Sequence, residues 1–222
     1  MRFGVCRVWG VLPGLKIAHR RGPHASSHRT LVTRRAACDN MTKRTIAYHE
    51  AGHVVVARLL GVHVALVTMV PGFGGDAGAL TESAASGACD DPEAFARGCE
   101  VDAKISLAGS TAEAIHRPAK TRLKLLRRRK DLKDDEENTM GLIVQAVLTR
   151  GGTPVTDLRG EGKTFEIVLN QDQTDAANAL LDSLQGETRK LLLDNWSAVE
   201  RVAAAFMERP FFDQDELDAL IR

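Results

Sequence analysis

Two histidines and a glutamate set the first chemical expectation. They lie in Ala47-Tyr48-His49-Glu50-Ala51-Gly52-His53-Val54-Val55-Val56-Ala57. On a helix, residues four apart project from one face about one turn, roughly 6 Å, from each other. That spacing lets His49 and His53 bind one Zn²⁺ ion and leaves Glu50 beside the metal, where a carboxylate can take a proton from water. The ordinary alternative is a helix carrying two incidental histidines, since five-residue patterns of this kind also arise by chance.

The surrounding residues predict the element that would hold the pair. Ile46, His49, His53, Val56 and Leu60 repeat at intervals of 3, 4, 3 and 4, which is one face of a helix running from about Thr42 to Leu60. Gly61 is placed to end it. The histidines share that face with aliphatic residues and so point inward, where two imidazoles need polar partners.

After this helix, Val64 to Val70 reads as a strand, Pro71 to Asp76 as a glycine-rich loop and Gly78 to Glu82 as a returning strand. Asp90-Asp91-Pro92-Glu93 is a helix start, and the helix runs to Ile115 with an expected break near Gly98 and a stop at Pro118. Residues 120–130 are basic and the acids from Asp131 to Glu137 follow at once. Those acids suit the first turn of a helix reaching about Leu148 and stopped by Gly151-Gly152. Gly160 to Thr164 ends like a phosphate-binding loop, but Asp157 stands where the first glycine belongs. Phe165 to Leu169 then reads as a strand, so a turn is expected there and not a nucleotide site. From Thr174 to Met207 the chain is helical with a break at Asp194-Asn195. Asp213 to Glu216 can cap a last short helix.

Composition narrows the class. In 222 residues, 44% are hydrophobic and only 5% aromatic, so the core must be built from aliphatic side chains, which suits helices. Eight Lys/Arg stand against one acid, Asp39, in residues 1–40; the other 22 basic and 28 acidic residues leave the remainder mildly acidic. Nucleic-acid binding is therefore not expected of the body, although the basic run at 120–130 offers a minority reading as an anionic-surface or nucleic-acid contact. Residues 1–40 are expected to be a disordered basic extension, and residues 41–222 the folded domain. The four cysteines form no metal-binding or disulfide pattern. No apolar run is long enough for a membrane span. A cytoplasmic setting is expected, or an organellar one if residues 1–40 are a transit peptide.

The helix with His49, Glu50 and His53, the strand ending Val67-Thr68-Met69-Val70-Pro71, the segment Ile105-Ser106-Leu107-Ala108-Gly109-Ser110-Thr111-Ala112-Glu113 and the stretch Asn195 to Ala203 together resemble the FtsH-type zinc metallopeptidase family. The resemblance covers roughly residues 42–222. It implies a mainly α, helical zincin-type peptidase domain with a small β-hairpin near the metal helix. It also implies a Zn²⁺ cofactor held by His49, His53 and an aspartate, with Glu50 catalytic. Asp135 fits the family's third ligand best, having Glu137, Thr139 and Leu142 at the +2, +4 and +7 places; Asp134 and Asp131 are the alternatives. The activity implied is hydrolysis of unfolded or short polypeptides, with a AAA ATPase partner in trans and a homo-oligomer as further expectations. An inactive zinc-binding scaffold is the competing expectation.

Overall fold

A computed structural model describes residues 31–68, 78–81, 84–85, 91–117, 130–152, 167–209 and 211–222. The fold is mainly α. Six helices, α1 (Leu31–Leu59), α2 (Pro92–His116), α3 (Lys130–Arg150), α4 (Gln171–Asp194), α5 (Trp196–Glu208) and α6 (Gln214–Ile221), occur among the described residues. Three short strands, β1 (Val64–Thr68), β2 (Gly78–Thr81) and β3 (Phe211–Phe212), form one antiparallel sheet in the order β2-β1-β3.

Helix α1 begins eleven residues before the expected Thr42, inside the stretch read as a disordered extension. Residues 31–40 contain neither proline nor glycine, so nothing in them halts a helix that is already nucleated. Residues 1–30 lie outside the described residues. The C-terminus of α1 follows the sequence closely. Gly61 adopts φ 77°, Val62 N–H donates to the Ala57 carbonyl and Gly61 N–H to that of Arg58. This is a Schellman closure, which needs a residue without a Cβ at that point.

The expected inward stripe of α1 was too narrow. From Ala47 to Ala57 every residue except His53 is buried, while Ile46 and Leu60 are only half-buried. A helix apolar nearly all round becomes the centre of a core and not a lid over one. α5 and α6 cover one side of α1 through Val199, Val202, Phe206 and Leu217. Arg58 closes the same side with a two-pronged ion pair to Asp218 of α6, at 2.6 and 3.0 Å. Tyr48 stacks on His116 of α2 at 3.6 Å and on Trp196 of α5 at 5.7 Å.

α2 is unbroken through Gly98. Asp91 caps it by accepting from Glu93 N–H, with Pro92 in the first turn. Gly98 is there because a Cβ would lie 2.6 Å from Ala85 Cα. One turn on, Asp102 accepts from the backbone N–H groups of Ala84 and Ala85 at 2.9 and 3.4 Å, fixing the chain beyond β2 onto α2. α3 and α4 cover the opposite side of α2 through Ala103, Ile143, Ala177 and Leu184.

One sequence expectation needs correction. Ile167 to Leu169 is not a strand; it leads into the Asn170–Gln173 capping box of α4 and buries Leu169 against Val144 and Leu148. β1 is the central strand of the sheet. Val67 and Thr68 pair with β2 on one side and with Phe212 and Phe211 on the other, a two-residue strand too short to announce itself by alternation. The expected Pro71–Asp76 loop, the basic run through Arg129 and the Gly160–Thr164 turn lie outside the described residues. Among the described residues no helix is long and apolar enough to cross a membrane.

Candidate metal centre

α1 delivers His49 and His53 to the surface of α2, and small residues let it come close. A Cβ on Gly52 would lie 2.5 Å from the Ala108 carbonyl oxygen and 2.7 Å from Ala112 Cβ. A Cβ on Gly109 would fall 2.6 and 2.7 Å from His49 Cε1 and Nε2, and closer still to His53 Nε2. The two imidazoles therefore occupy the space that Gly109 leaves empty.

Each ring is oriented from its far nitrogen. His53 Nδ1 lies 2.6 Å from the Ile105 carbonyl oxygen. A carbonyl can only accept, so that nitrogen carries the hydrogen. His49 Nδ1 lies 3.0 Å from Glu113 Oε1, and a carboxylate likewise favours hydrogen on the facing nitrogen. Both rings are thereby left with Nε2 as their lone-pair nitrogen, and the two Nε2 atoms face each other at 3.0 Å.

Asp135, in the second turn of α3, completes the group. Its Oδ2 lies 3.0 Å from His49 Nε2 and 3.5 Å from His53 Nε2. Three lone-pair donors thus form a triangle with sides of 3.0, 3.0 and 3.5 Å. Donors on a tetrahedral zinc with bonds of about 2.0–2.1 Å stand about 3.3 Å apart. The two nitrogens and one carboxylate oxygen also match zinc's preferred donor chemistry, so the residues present fit this ion. The side chains of the alternatives Asp134 and Asp131 lie outside the described residues.

The electrostatics favour a cation. Burial pushes His49 towards the neutral form, but the carboxylates of Asp135, Glu113 and Glu50 overcome it and raise the imidazole from 6.5 to about 9. Burial opposes ionisation of Asp135 too, yet the two histidines hold its carboxyl well below the usual range. With no metal, a proton takes the central position. Glu50 is buried, at 3% exposure, and near enough for its charge to act on His49. The site is not sealed: the His49 side chain is 2% exposed, but those of His53 and Asp135 are 12% and 27% exposed.

The structure thus brings together His49, His53 and Asp135, which lie 86 positions apart in the chain at their extremes. Sequence reasoning placed Gly109 on a face of small residues suited to close helix packing and gave no role at the site to Glu113 or the Ile105 carbonyl. Gly109 and Glu113 stand four apart on α2, so a shared helical face was available as a signal. Only the approach of α1 reveals what that face holds.

No family model matches the chain. It is similar to the ATP-dependent zinc metalloprotease FtsH 4 of Sorangium cellulosum (strain So ce56), with 29% identity over 196 residues. The aligned region takes in 81% of this chain but only 29% of the relative's length. The likeness is thus to a chain named as a zinc metalloprotease, and His49, His53 and Asp135 form a group that could hold a metal ion.

Proposed function

We propose that this chain is a zinc-dependent metalloendopeptidase that hydrolyses peptide bonds of unfolded or short polypeptides. The observation that carries the reading is the convergence of His49 Nε2, His53 Nε2 and Asp135 Oδ2, each ring fixed from its Nδ1 side. The likeness to a chain named as a zinc metalloprotease supports it independently.

His49, His53 and Asp135 would hold the zinc ion. When bound, zinc supplies Lewis acidity, lowering the pKa of water towards about 7 and polarising a carbonyl oxygen. Glu50 takes the proton of the attacking water and passes it to the leaving nitrogen, so that a neutral amine departs. Glu113 and the Ile105 carbonyl keep both imidazoles in the tautomer that presents Nε2. The exposed flank formed by His53 and Asp135 is the side from which an extended polypeptide reaches the site. Val67 and Thr68 of β1 are paired on both sides, so those two residues offer no open edge to a substrate strand. ATP dependence belongs to the relative's name; a AAA ATPase partner acting in trans would couple this site to ATP.

The test is hydrolysis of casein by the zinc-loaded protein and by Glu50→Gln. The substitution should retain one zinc per chain by mass spectrometry and lose cleavage by at least about a hundredfold. Zinc-loaded wild type that leaves casein and short unfolded peptides intact would rule out the peptidase reading.

A further inference from the structure

We propose that Asn138 and Ser106 form the device that positions Asp135 against the two histidines, an inference that rests on the metal-site reading above. The histidines come from α1 and the carboxylate from α3. These helices barely meet, and each packs instead on α2. The distance from the imidazoles to Asp135 is therefore set by two separate registers, α1 on α2 and α3 on α2.

The first register is fixed by shape and by directed contacts: Gly52 against Ala108 and Ala112, Gly109 under the rings, and the two Nδ1 contacts. The second rests largely on apolar side chains such as Ile143 and Ala146, whose packing has little directionality. Directed polar ties join α3 to α2 as well. Arg150 reaches Glu93 and Glu100 at the far end, about 18 Å along the helix from Asn138 and with a long, half-exposed side chain. A tie at the metal end is the bond that Asn138 Nδ2 donates to Ser106 Oγ at 2.8 Å.

Its placement gives that bond leverage. Asn138 lies three residues beyond Asp135, on the same helical face. Ser106 follows Ile105, whose carbonyl holds His53. One step of the α2 backbone therefore grips a ligand of α1 through its carbonyl and the ligand-bearing turn of α3 through its hydroxyl. Neither Asn138 nor Ser106 is among the three donors, so both are positioning residues.

The test measures Zn²⁺ affinity by competition with a chelator, together with the visible absorption of the Co²⁺-loaded protein. Asn138→Ala and Ser106→Ala should each weaken Zn²⁺ binding about tenfold, in the range found when outer-shell partners are removed. The double variant should be no weaker than either single one. Ser106→Thr, which keeps the hydroxyl, should retain both the affinity and the Co²⁺ spectrum, whereas the alanine variants should change the Co²⁺ bands. Asn138 is exposed, so Asn138→Ala alone carries the test if Ser106→Ala does not fold. Wild-type affinity and spectrum in Asn138→Ala, or losses that add in the double variant, would overturn the inference while leaving the metal site standing. A wild-type protein that binds no zinc would overturn both.

Discussion

At the scale of single residues, the candidate centre depends as much on what stands behind the imidazoles as on the donors. Glu113 meets His49 Nδ1 at 3.0 Å and is itself buried, so its removal leaves that nitrogen facing a hole. Glu113→Ala should lower zinc affinity about 10–100-fold without loss of helicity, read by chelator competition and circular dichroism. The proton and the metal compete for one position, which gives a pH dependence of definite sign. His49 is raised from 6.5 to about 9 in the metal-free chain, so the stability it contributes is complete below about 6.5 and is lost as pH rises through about 9. Asp135, held low, contributes stability above its ordinary range that fades only in acid. Urea unfolding of the chelated protein should therefore show stability falling between pH 6.5 and 9. The zinc-loaded protein should show the opposite trend up to about pH 7.5, because metal binding requires the deprotonated imidazole. Parallel pH profiles for the two forms would refute the assignment of a shared site.

At the scale of elements, the contact of α1 with α2 is set by glycine. Gly52→Ala gains up to about 1 kcal/mol of helix propensity. Against that, its Cβ would lie 2.5 Å from a backbone oxygen that cannot rotate away. Overpacking costs about 1–3 kcal/mol, so the expected net effect in denaturant unfolding is destabilisation by about 1–2 kcal/mol. This also shows which elements the sequence made legible. Caps and stops are local chemistry, and Pro92, Gly61, Asn195 and Asp213 mark helix ends where expected. The His49–Glu50–His53 pattern is local as well. The full burial of α1, the pairing of β3 with β1 and the meeting of Glu113 with His49 depend on segments distant in sequence. A periodicity of single helices carries no information about them. Asp135 sits between these cases: only resemblance singled it out from Asp131 and Asp134, because all three lie within two turns of one helix.

At the scale of the whole molecule, α2 is the member on which both halves of the centre are assembled, and a bound ion would tie α1 to α3 directly. Ligand binding to the folded form alone stabilises it by about 2.7 kcal/mol at a free concentration of 100 Kd. Zinc should therefore raise the melting temperature of the wild type, and chelation should reverse the gain. His49→Ala should show no zinc-dependent shift at all. An equal shift in that variant would place the ion elsewhere on the molecule. Because α1 and α3 scarcely touch, removing the ion should also speed amide hydrogen exchange in the first turns of α3 more than in the enclosed turns of α1.

The enclosure of α1 has a further consequence for how such a chain can diverge. From Ala47 to Ala57, neighbours on every side set the size allowed at nearly every position, so the metal helix has almost no freedom to accept new side chains. Any drift in what the centre accepts must be written on its open flank, along the turn of α3 that follows Asp135, where Glu136 is exposed. Variants selected for altered specificity should accumulate there and leave α1 untouched.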